Sequence, residues 1–341
     1  MGRWTTTLRS SRVVVVGAGG GGDVVSAYVF CKVLEDVVGT RECLPAGVLW
    51  ERWVVDPYPG PVPRASLRNA RLDKCVWVGK DTYVVRGEYA FRPHTAYVAE
   101  VLGTEIPAVT LEHGVEGVYR CFSELSDGAL LIDLDVGGDI LAEGWEEDLW
   151  SPLADAITLA ATERTGGLVG IAAPGADGEL PQEVVLQRIG EVLRAGGYVG
   201  ALGLWDHHRS LYEAIIDRVK TEASKAPFLA LKGDVGAKPI RGGSRVMNVN
   251  VATLMTFLLR SEEVIKLNKL AQGIRYTRSL AETWAEARRL GIPTELDLEV
   301  MVTKKYGVGP GTTPEWNALR AAVRAQRLKT SLDSMKNGGT E

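Results

Sequence analysis

The chain has 341 residues, of which 45% are hydrophobic and 24% charged, and its net charge is −4. A chain of this length and composition can bury a large hydrophobic core, which excludes disordered, collagen-like and disulfide-scaffold proteins. It contains no apolar run near the roughly 20 residues that a membrane span needs, so we expect no membrane association and a cytoplasmic location.

Strand and helix patterns alternate along most of the chain. The predicted elements are a strand at Arg12–Gly17, a helix at Asp23–Leu34, a strand at Gly47–Trp50, a hairpin at Val76–Val85 that turns at Gly79-Lys80-Asp81, a helix at Thr95–Leu102, a strand at Pro107–Thr110, a helix at Gly114–Leu125, a strand at Leu130–Asp135, a helix at Pro152–Thr162, a strand at Leu168–Ala173, helices at Pro181–Arg194 and Leu211–Lys220, a strand at Arg245–Val251 and mostly helix thereafter. Such alternation implies crossover connections and a mostly parallel sheet with helices on both faces. We therefore predict an α/β fold with a Rossmann-like three-layer core and a helical C-terminal addition.

Charge is distributed unevenly along the chain. Residues 241–341 hold 16 Lys and Arg against 10 Asp and Glu, so the first 240 residues carry a net charge of −10. Because nucleic-acid surfaces require positive charge, we expect no nucleic-acid partner. We predict a Rossmann-like domain at residues 1–260, a helical extension at residues 261–335 and a disordered tail at residues 336–341.

The cysteines form no Cys-x-x-Cys pair, which argues against a zinc ribbon, an iron–sulfur site or a thioredoxin-type centre. The four are Cys31, Cys43, Cys75 and Cys121. Buried thiols are the expected state. The scarcity of Asn and Gln is, however, typical of thermostable proteins from hot environments, in which intracellular disulfides also occur.

A glycine-rich turn between the first strand and the first helix is the first candidate site. Its sequence, Gly17-Ala-Gly-Gly-Gly-Gly-Asp23, fits the pattern G-x-G-x-x-G, which lets the backbone approach an anion beside the free N–H groups of a helix start. The residues predicted to bind an anion are Gly19, Gly20, Gly21 and Gly22. A dinucleotide is disfavoured, because Glu51 follows the turn by more than the usual twenty or so residues and Asp23 would lie beside the pyrophosphate. A tight structural turn is the other alternative.

Two aspartates share one face of the strand Leu130–Asp135. Alternate residues of a strand face opposite sides, so Asp133 and Asp135 point away from their apolar neighbours. Buried carboxylates are costly unless they are solvated, paired or bound to a cation. We therefore predict that Asp135 and Asp139 bind a divalent hard cation, with Mg²⁺ as the first choice. The alternative is that both residues only cap the turn and the following helix.

Further acidic residues follow at helix starts. Ser151-Pro152 is typical of an N-cap and a first helical residue, and Asp155 fits an interaction with the helix dipole. The turn before the next helix contains Asp177 and Glu179, which we regard as candidate catalytic residues. Because three successive strands end in glycine and a carboxylate, we expect these turns to converge on one cleft at the carboxyl edge of the sheet. Ordinary turn and helix-start roles remain the alternative.

A basic, glycine-rich segment at Lys232–Arg245 contrasts with the acidic sequence before it. Arginine suits bidentate contacts with phosphate, so Arg241 and Arg245 are predicted to contact an anionic ligand, with a solvated loop as the alternative. No His-Glu-x-x-His or Gly-x-Ser-x-Gly motif is present, and the four histidines are expected to be structural.

Several blocks of the sequence occur together in one known family. They are Gly19-Gly-Gly-Gly-Asp23, Asp135-Val-Gly-Gly-Asp139, Ser151-Pro-Leu-Ala-Asp155, Pro174-Gly-Ala-Asp-Gly-Glu-Leu180 and Arg241-Gly-Gly. In this combination the chain resembles the uncharacterised, mainly archaeal Domain of Unknown Function 1152 family over about residues 10 to 260. The resemblance implies that the blocks belong to one structural unit, and it brings no activity with it.

The residues favour a magnesium-dependent enzyme that acts on a phosphorylated or nucleotide-like small molecule by phosphoryl transfer or hydrolysis. The cation and the arginines would stabilise the phosphoryl charge, and Asp177 or Asp23 would act as the general base. The first strand is not followed by the Gly-Lys-Ser/Thr of a P-loop. Alternatives are a non-catalytic nucleotide-binding regulatory protein and an NAD(P)-dependent oxidoreductase. A homo-oligomer is compatible with the sequence.

Overall fold

The computed structural model of the chain describes residues 3–308 and 314–325, and its largest element is a mixed β-sheet. The strands are β1 (Arg12–Gly17), β2 (Glu42–Val48), β3 (Leu67–Leu72), β4 (Val76–Arg86), β5 (Tyr89–Phe91), β6 (Ile106–Val109), β7 (Ala129–Val136), β8 (Leu168–Ala172), β9 (Tyr198–Gly203), β10 (Gly236–Ile240), β11 (Arg245–Val249) and β12 (Met255–Arg260). The predicted tail at residues 336–341 lies outside the described residues.

Helices connect the strands and cover the sheet. They are α1 (Arg3–Ser10), α2 (Val24–Val33), α3 (His94–Leu102), α4 (Gly114–Leu125), α5 (Pro152–Thr165), α6 (Gln182–Arg194), α7 (Arg209–Glu213), α8 (Ala226–Leu231), α9 (Ser261–Val264), α10 (Lys269–Ile274), α11 (Leu280–Arg289) and α12 (Glu295–Tyr306), and residues 316–325 are helical as well. In the part of the chain that the structure describes, none of these helices has the length and apolar character required to cross a membrane.

The strand order places β1 near the middle of the sheet. The order is β3-β4-β6-β2-β1-β7-β8-β12-β9, with β5 beside β4. The five strands from β6 to β8 are parallel, and the strands on both flanks run antiparallel to their neighbours. The chain moves outward from β1 to β2 and β6, and then returns to add β7 on the other side of β1. The predicted α/β fold with a mostly parallel sheet is confirmed.

The central strands are buried on both faces, as their β-branched sequences predict. Val14 and Val16 of β1 pack in a core with α4 and α5, whereas Val13 and Val15 pack on the opposite face with α2 and α8. In β7 the residues at even positions 132 to 136 belong to the α2 side. Asp133 and Asp135 therefore face α5, and their predicted common orientation is confirmed.

The predicted hairpin at Val76–Val85 is wrong, because β4 is one continuous strand. The pairing register with β3 shifts beside Asn69, so that residues 79–82 form a bulge instead of a turn. Within the bulge Gly79 N donates to Thr82 Oγ1 at 3.0 Å, and Thr82 Oγ1 donates to Asn69 O at 2.7 Å. Gly79 and Asp81 thus belong to a bulge, although the same residue types are also typical of a turn.

The C-terminal half contains more strand than predicted. The strands β9 and β12 were not predicted, since glycines interrupt the first and the second has a continuous apolar run without alternation. The helix predicted at Leu211–Lys220 is wrong, because only the short α7 forms there, and the segment predicted to be mostly helical begins with the strand β12. The strand predicted at Arg245–Val251 exists, but it pairs only with β10. Strand β2 begins at Glu42, five residues before its predicted start.

The cysteines are paired, so the expectation of buried free thiols is wrong. One disulfide, Cys31–Cys43, joins α2 to β2, and the other, Cys75–Cys121, joins the residue before β4 to α4. The C-terminal helices α10, α11 and the start of α12 pack into the same core as α4 and α5. This packing brings α12 to the carboxyl edge of the sheet.

Candidate functional site

A cavity of about 1250 Å³ lies where β1 and β7 end at the carboxyl edge of the sheet. The order in which the chain adds strands to the sheet reverses between these two neighbouring strands. Open α/β sheets bind ligands at such a switch point. The lining includes residues of the glycine-rich turn, the turn after β7, the Asp177–Glu179 turn and the Arg241–Ser244 loop. The predicted convergence of these turns on one cleft is confirmed.

Three aspartates form a buried carboxylate cluster in this cavity. One oxygen each of Asp135, Asp139 and Asp155 lies within 4.8 Å of the other two, and none of the residues is more than 5% exposed. Burial raises the pKa of all three groups well above the usual range, and the neighbouring carboxylates raise it further. Among the described residues no Lys, Arg or His forms an ion pair with the cluster. Such an arrangement suits a hard divalent cation.

The hydrogen bonds of the cluster leave oxygen atoms available to a ligand. Asp135 Oδ2 accepts a bond from Ile140 N at 3.0 Å, which anchors the turn after β7. Asp155 Oδ1 is buried and has no hydrogen-bond partner in the described structure. A buried carboxylate oxygen without a donor is costly unless a cation or a proton compensates it.

The start of α5 differs from the prediction. Ser151 does not cap the helix with its side chain. The cap is Glu295 of α12, whose oxygens accept bonds from Leu153 N at 3.0 Å and Ala154 N at 2.8 Å. Because Glu295 accepts hydrogen bonds from the free amides at the helix start, Asp155 is not needed there and belongs to the carboxylate cluster. An interaction with the helix dipole therefore does not explain Asp155 by itself.

Asp23 connects the glycine-rich turn to the end of β7. Its Oδ2 accepts bonds from Gly19 N at 3.3 Å and Val136 N at 3.4 Å. Its other oxygen accepts no hydrogen bond from the described residues. Burial raises the pKa of Asp23 to about 7, although the two backbone bonds oppose this shift. The group can therefore exchange a proton near neutral pH.

Gly19, Gly21 and Gly22 of the turn are required for close packing. A Cβ atom at Gly19 would lie 2.7 Å from Asp155 Oδ2, and one at Gly22 would lie 2.7 Å from Thr221 Oγ1. None of the residues 19–22 has the positive φ that favours glycine. Carboxylate and hydroxyl groups of other segments therefore reach the backbone of this turn only because it has no side chains.

Most amide groups of the turn already have acceptors. Gly19 N donates to Asp23, Gly21 N donates to Trp50 O at 2.9 Å, and Asp23 N donates to Gly20 O at 3.1 Å. The turn therefore offers an anion at most the amides of Gly20 and Gly22. This is a smaller anion-binding surface than the glycine pattern alone predicts.

Glu179 is fully engaged by its neighbours. Its Oε2 accepts bonds from Trp150 N at 2.7 Å and Ser151 N at 2.9 Å, and its Oε1 accepts a bond from Ser151 Oγ at 2.6 Å. The guanidinium groups of Arg245 and Arg241 lie 3.8 and 3.7 Å from Oε1. Burial opposes ionisation, but the two arginines and the hydrogen bonds lower the pKa of Glu179 below its usual value.

Asp177 has one free oxygen. Its Oδ1 accepts a bond from Glu179 N at 3.0 Å, whereas Oδ2 is buried without a partner in the part of the chain described. Burial and the adjacent Glu179 raise its pKa to about 6. Of the two acids predicted in this turn, only Asp177 has an atom free to bind a ligand.

Arg241 and Arg245 occupy different environments. Arg241 lines the cavity and has a left-handed φ of 54°, while its amide donates to Glu222 Oε1 at 2.9 Å. Arg245 does not line the cavity, because its guanidinium donates to Gly178 O at 2.7 Å and Asp148 O at 2.8 Å. Only the first of the two predicted arginines is placed to contact a ligand directly.

Other basic residues line the cavity together with Arg241. We refer to Arg52, Lys220, Arg241 and Arg320 together as the cationic rim. Burial and the nearby Arg241 lower the pKa of Arg52 to about 10. Burial and the charge of Arg245 lower the pKa of Arg320 to about 10. Glu222 already lies 2.8 Å from Arg52 and Glu179 lies 3.7 Å from Arg241, and the remaining donors of these clustered cations favour a further anion between them.

Two further acids of the cavity come from α12 and were not predicted. Glu295 caps α5, and Glu299 accepts bonds from Gly60 N at 2.7 Å and Trp50 Nε1 at 3.2 Å. Burial raises the pKa of each to about 8. They are far in sequence from every motif of the first 260 residues, so only the fold could reveal them.

Glu51 and His94 form a buried pair beside the glycine-rich turn. His94 N donates to Glu51 Oε1 at 2.8 Å, and His94 Nδ1 contacts Glu51 Oε2. Lys220 N donates to His94 Nε2 at 2.9 Å, which places the ring proton on Nδ1. Both oxygens of Glu51 are thus engaged within the protein, which leaves Glu51 unsuited to a ribose hydroxyl.

The exposed Asp36 and His207 and the buried His208 also have metal-ligating atoms close together. Trp205 N donates to His208 Nδ1 at 2.9 Å, so the neutral ring carries its proton on Nε2, which lies 3.3 Å from Asp36 Oδ2. A metal at Nε2 would have to displace that proton. The hydrogen bond from Trp205 N at this helix start therefore explains the orientation of His208 without a metal ion.

Comparison with known proteins connects these features to one family. Residues 14–303 match the family described as Protein of unknown function (DUF1152). Nothing among the curated proteins or the solved structures matches the chain. The matched range includes the acid-bearing turns and both glutamates of α12, so it reaches beyond the predicted resemblance. The chain belongs to the DUF1152 family.

Proposed function

We propose that the protein is an enzyme that uses a divalent cation, Mg²⁺ by preference, to act on a phosphorylated small molecule by phosphoryl transfer or hydrolysis. The observation that carries this proposal is the cluster of Asp135, Asp139 and Asp155. Three buried carboxylates within 4.8 Å of one another repel each other, and each buried unpaired charge costs several kcal/mol. A hard cation bound by carboxylate oxygens removes that cost.

The basic lining residues of the cavity support an anionic substrate. The cationic rim and the amides of Gly20 and Gly22 can bind phosphate oxygens, while the carboxylate cluster would bind a cation that the same phosphate contacts. The parallel order β6-β2-β1-β7-β8 supports a Rossmann-like core as part of this proposal, since ligands of such sheets bind where β1 and the strand after the reversal end.

Asp23 is the general base in this proposal. It takes a proton from a water molecule or a substrate hydroxyl as that oxygen forms a bond to phosphorus and the bond to the leaving oxygen breaks. A pKa of about 7 suits this role at neutral pH. Arg241 neutralises charge on the phosphoryl oxygens, and a bound cation would do the same from the other side.

Glu179 and Arg245 have positioning roles in this proposal. Glu179 fixes the loop before α5 through Trp150 and Ser151, and it attracts the guanidinium of Arg241. Arg245 fixes the turn that contains Asp177 through Gly178 O. Neither has a group left for direct chemistry.

A nucleotide is the form of substrate that the lining favours. Trp50, Trp53, Trp150 and Trp316 all line the cavity that contains the groups suited to phosphate. Stacking of a base on an aromatic ring contributes about 1–3 kcal/mol. A cavity of about 1250 Å³ also exceeds the usual size of small-molecule sites, about 300–1,000 Å³, and so has room for a nucleotide.

Isothermal titration with Mg²⁺ tests the proposal, followed by a screen for phosphate release from phosphate esters and nucleotides. We expect Asp155→Asn to weaken Mg²⁺ binding at least tenfold, because an amide cannot neutralise the cation. The matched control is Asp127→Asn, at an exposed turn far from the cavity. Equal binding by wild type and Asp155→Asn, or no binding by wild type, would overturn the proposal.

A further inference from the structure

We propose that the site binds two divalent cations, the second of them held between Asp177 and the turn of Asp135 and Asp139. This inference rests on the proposed function and deepens it. The first cation would occupy the cluster with Asp155, and the carboxylates of the turn after β7 would serve both ions.

The turns after β7 and β8 are joined so that their acids meet. Gly137 N donates to Ala172 O at 3.0 Å, and Gly175 N donates to Gly137 O at 2.6 Å. The Asp177 carboxylate lies so close to Gly137 that a Cβ atom there would clash with it. Asp177 is thereby held beside the turn that begins at Asp135.

The free oxygen of Asp177 is evidence for a ligand at this position. Asp177 is only 5% exposed, and its Oδ2 lacks a hydrogen-bond donor although the residue lines the cavity. No described Lys or Arg nitrogen lies within ion-pair distance of it, because the nearby Arg241 and Arg245 pair with Glu179 instead. The same condition, a buried carboxylate oxygen without a partner, marks Asp155 on the other side of the cluster.

The excess of acidic residues in the cavity also favours more than one cation. Among the described lining residues, eleven are Asp or Glu and four are Lys or Arg. With one divalent ion bound, an excess of acidic residues still faces an anionic phosphate. A second divalent ion further reduces the repulsion between these acids and the phosphate. Two cations about 3.5–4 Å apart can contact both the attacking and the leaving oxygen of an in-line displacement at phosphorus.

Titration with Mn²⁺, which prefers the same oxygen ligands as Mg²⁺, tests the inference. We expect wild type to bind two Mn²⁺ ions per chain, with an electron paramagnetic resonance spectrum broadened by coupling between them. Asp177→Asn should bind one ion and lose the coupling, while the control Asp127→Asn should match wild type.

Each other outcome decides against the inference. One Mn²⁺ ion per wild-type chain would overturn the second site and leave the proposed function standing, whereas no binding would overturn both. Two ions without coupling, or two coupled ions in Asp177→Asn, would place the second cation elsewhere. If Asp177→Asn does not fold, the stoichiometry and the spectrum of wild type alone still decide between one site and a coupled pair.

Discussion

The carboxylate of Asp155 lies directly against the backbone of Gly19, so that a Cβ atom added to this glycine would be 2.7 Å from Asp155 Oδ2. The glycine-rich turn after β1 and the first turn of α5 are therefore closely packed against each other. Because Asp155 also belongs to the carboxylate cluster, the absence of a side chain at Gly19 and the proposed cation site are linked.

The substitution Gly19→Ala tests this link. We expect it to displace Asp155, to weaken Mn²⁺ binding about tenfold and to destabilise the fold by about 1–3 kcal/mol through overpacking. Gly20→Ala is the matched control, since its backbone is extended and the nearest atom to an added Cβ is 3.8 Å away. Calorimetric titration and thermal melting measure both effects. Equal losses in the two variants would contradict the explanation.

The substitution Asp23→Asn tests the general base. An amide oxygen still accepts the bonds from Gly19 N and Val136 N, so we expect the fold and Mn²⁺ binding to be retained. An amide cannot take up a proton at neutral pH, so turnover should fall by a factor of about 10²–10⁴. Steady-state rates on a phosphate-releasing substrate provide the measurement. Unchanged turnover with tighter phosphate binding would show that Asp23 only repels the anion.

Arg241 and Arg245 should respond differently to the same change. Arg241→Gln should weaken binding of a phosphorylated ligand about tenfold with little effect on stability. Arg245→Gln should instead destabilise the fold by about 3–5 kcal/mol, because it removes the buried positive charge beside Glu179 and the bonds to Gly178 O and Asp148 O. Urea denaturation and phosphate titration of both variants check this contrast, and the reverse pattern would refute the assignment.

Stability of the cation-free protein should fall as pH rises. The folded-state pKa is about 7 for Asp23 and about 8 for Glu295 and Glu299, above the values of about 4 expected in the unfolded chain. The folded state therefore binds more protons, and the resulting stability is present below pH 4 and is lost as pH rises toward 8.

Melting temperatures between pH 5 and pH 9 in the presence of a chelator measure this loss, which approaches about 1.4 kcal/mol per pH unit for each group at most. Glu299→Gln retains the acceptor for Gly60 N but removes one titrating proton, so its melting temperature should depend less on pH. A melting temperature that increases from pH 6 to pH 8 would contradict the pKa directions.

The turns of the site were predictable because they depend on local pattern and on one topological rule. Apolar strands before Gly19, Asp139 and Asp177 are parallel, so their ends meet at one edge of the sheet. The alternation in β7 likewise placed Asp133 and Asp135 on one face, and this prediction is confirmed by the packing of the apolar residues between them.

The contacts that define the roles were not predictable. Ser-Pro-x-x-Asp is a normal helix start, and only Glu295, 142 residues from Leu153 in sequence, shows that Asp155 is available to the cluster. In the same way, the carbonyl partners that remove Arg245 from the cavity come from two distant loops. Long-range pairing also decides the elements that were missed, since β12 has no pattern of its own and forms by pairing with β8 and β9.

Anomalous diffraction from crystals of the protein grown with Mn²⁺ tests the central claim most directly. We predict a strong anomalous peak about 2.0–2.6 Å from oxygen atoms of Asp135, Asp139 and Asp155, the range of bonds between hard cations and carboxylates. A peak only at other carboxylates, or these three side chains bonded to protons and water at a saturating concentration of Mn²⁺, would contradict the claim.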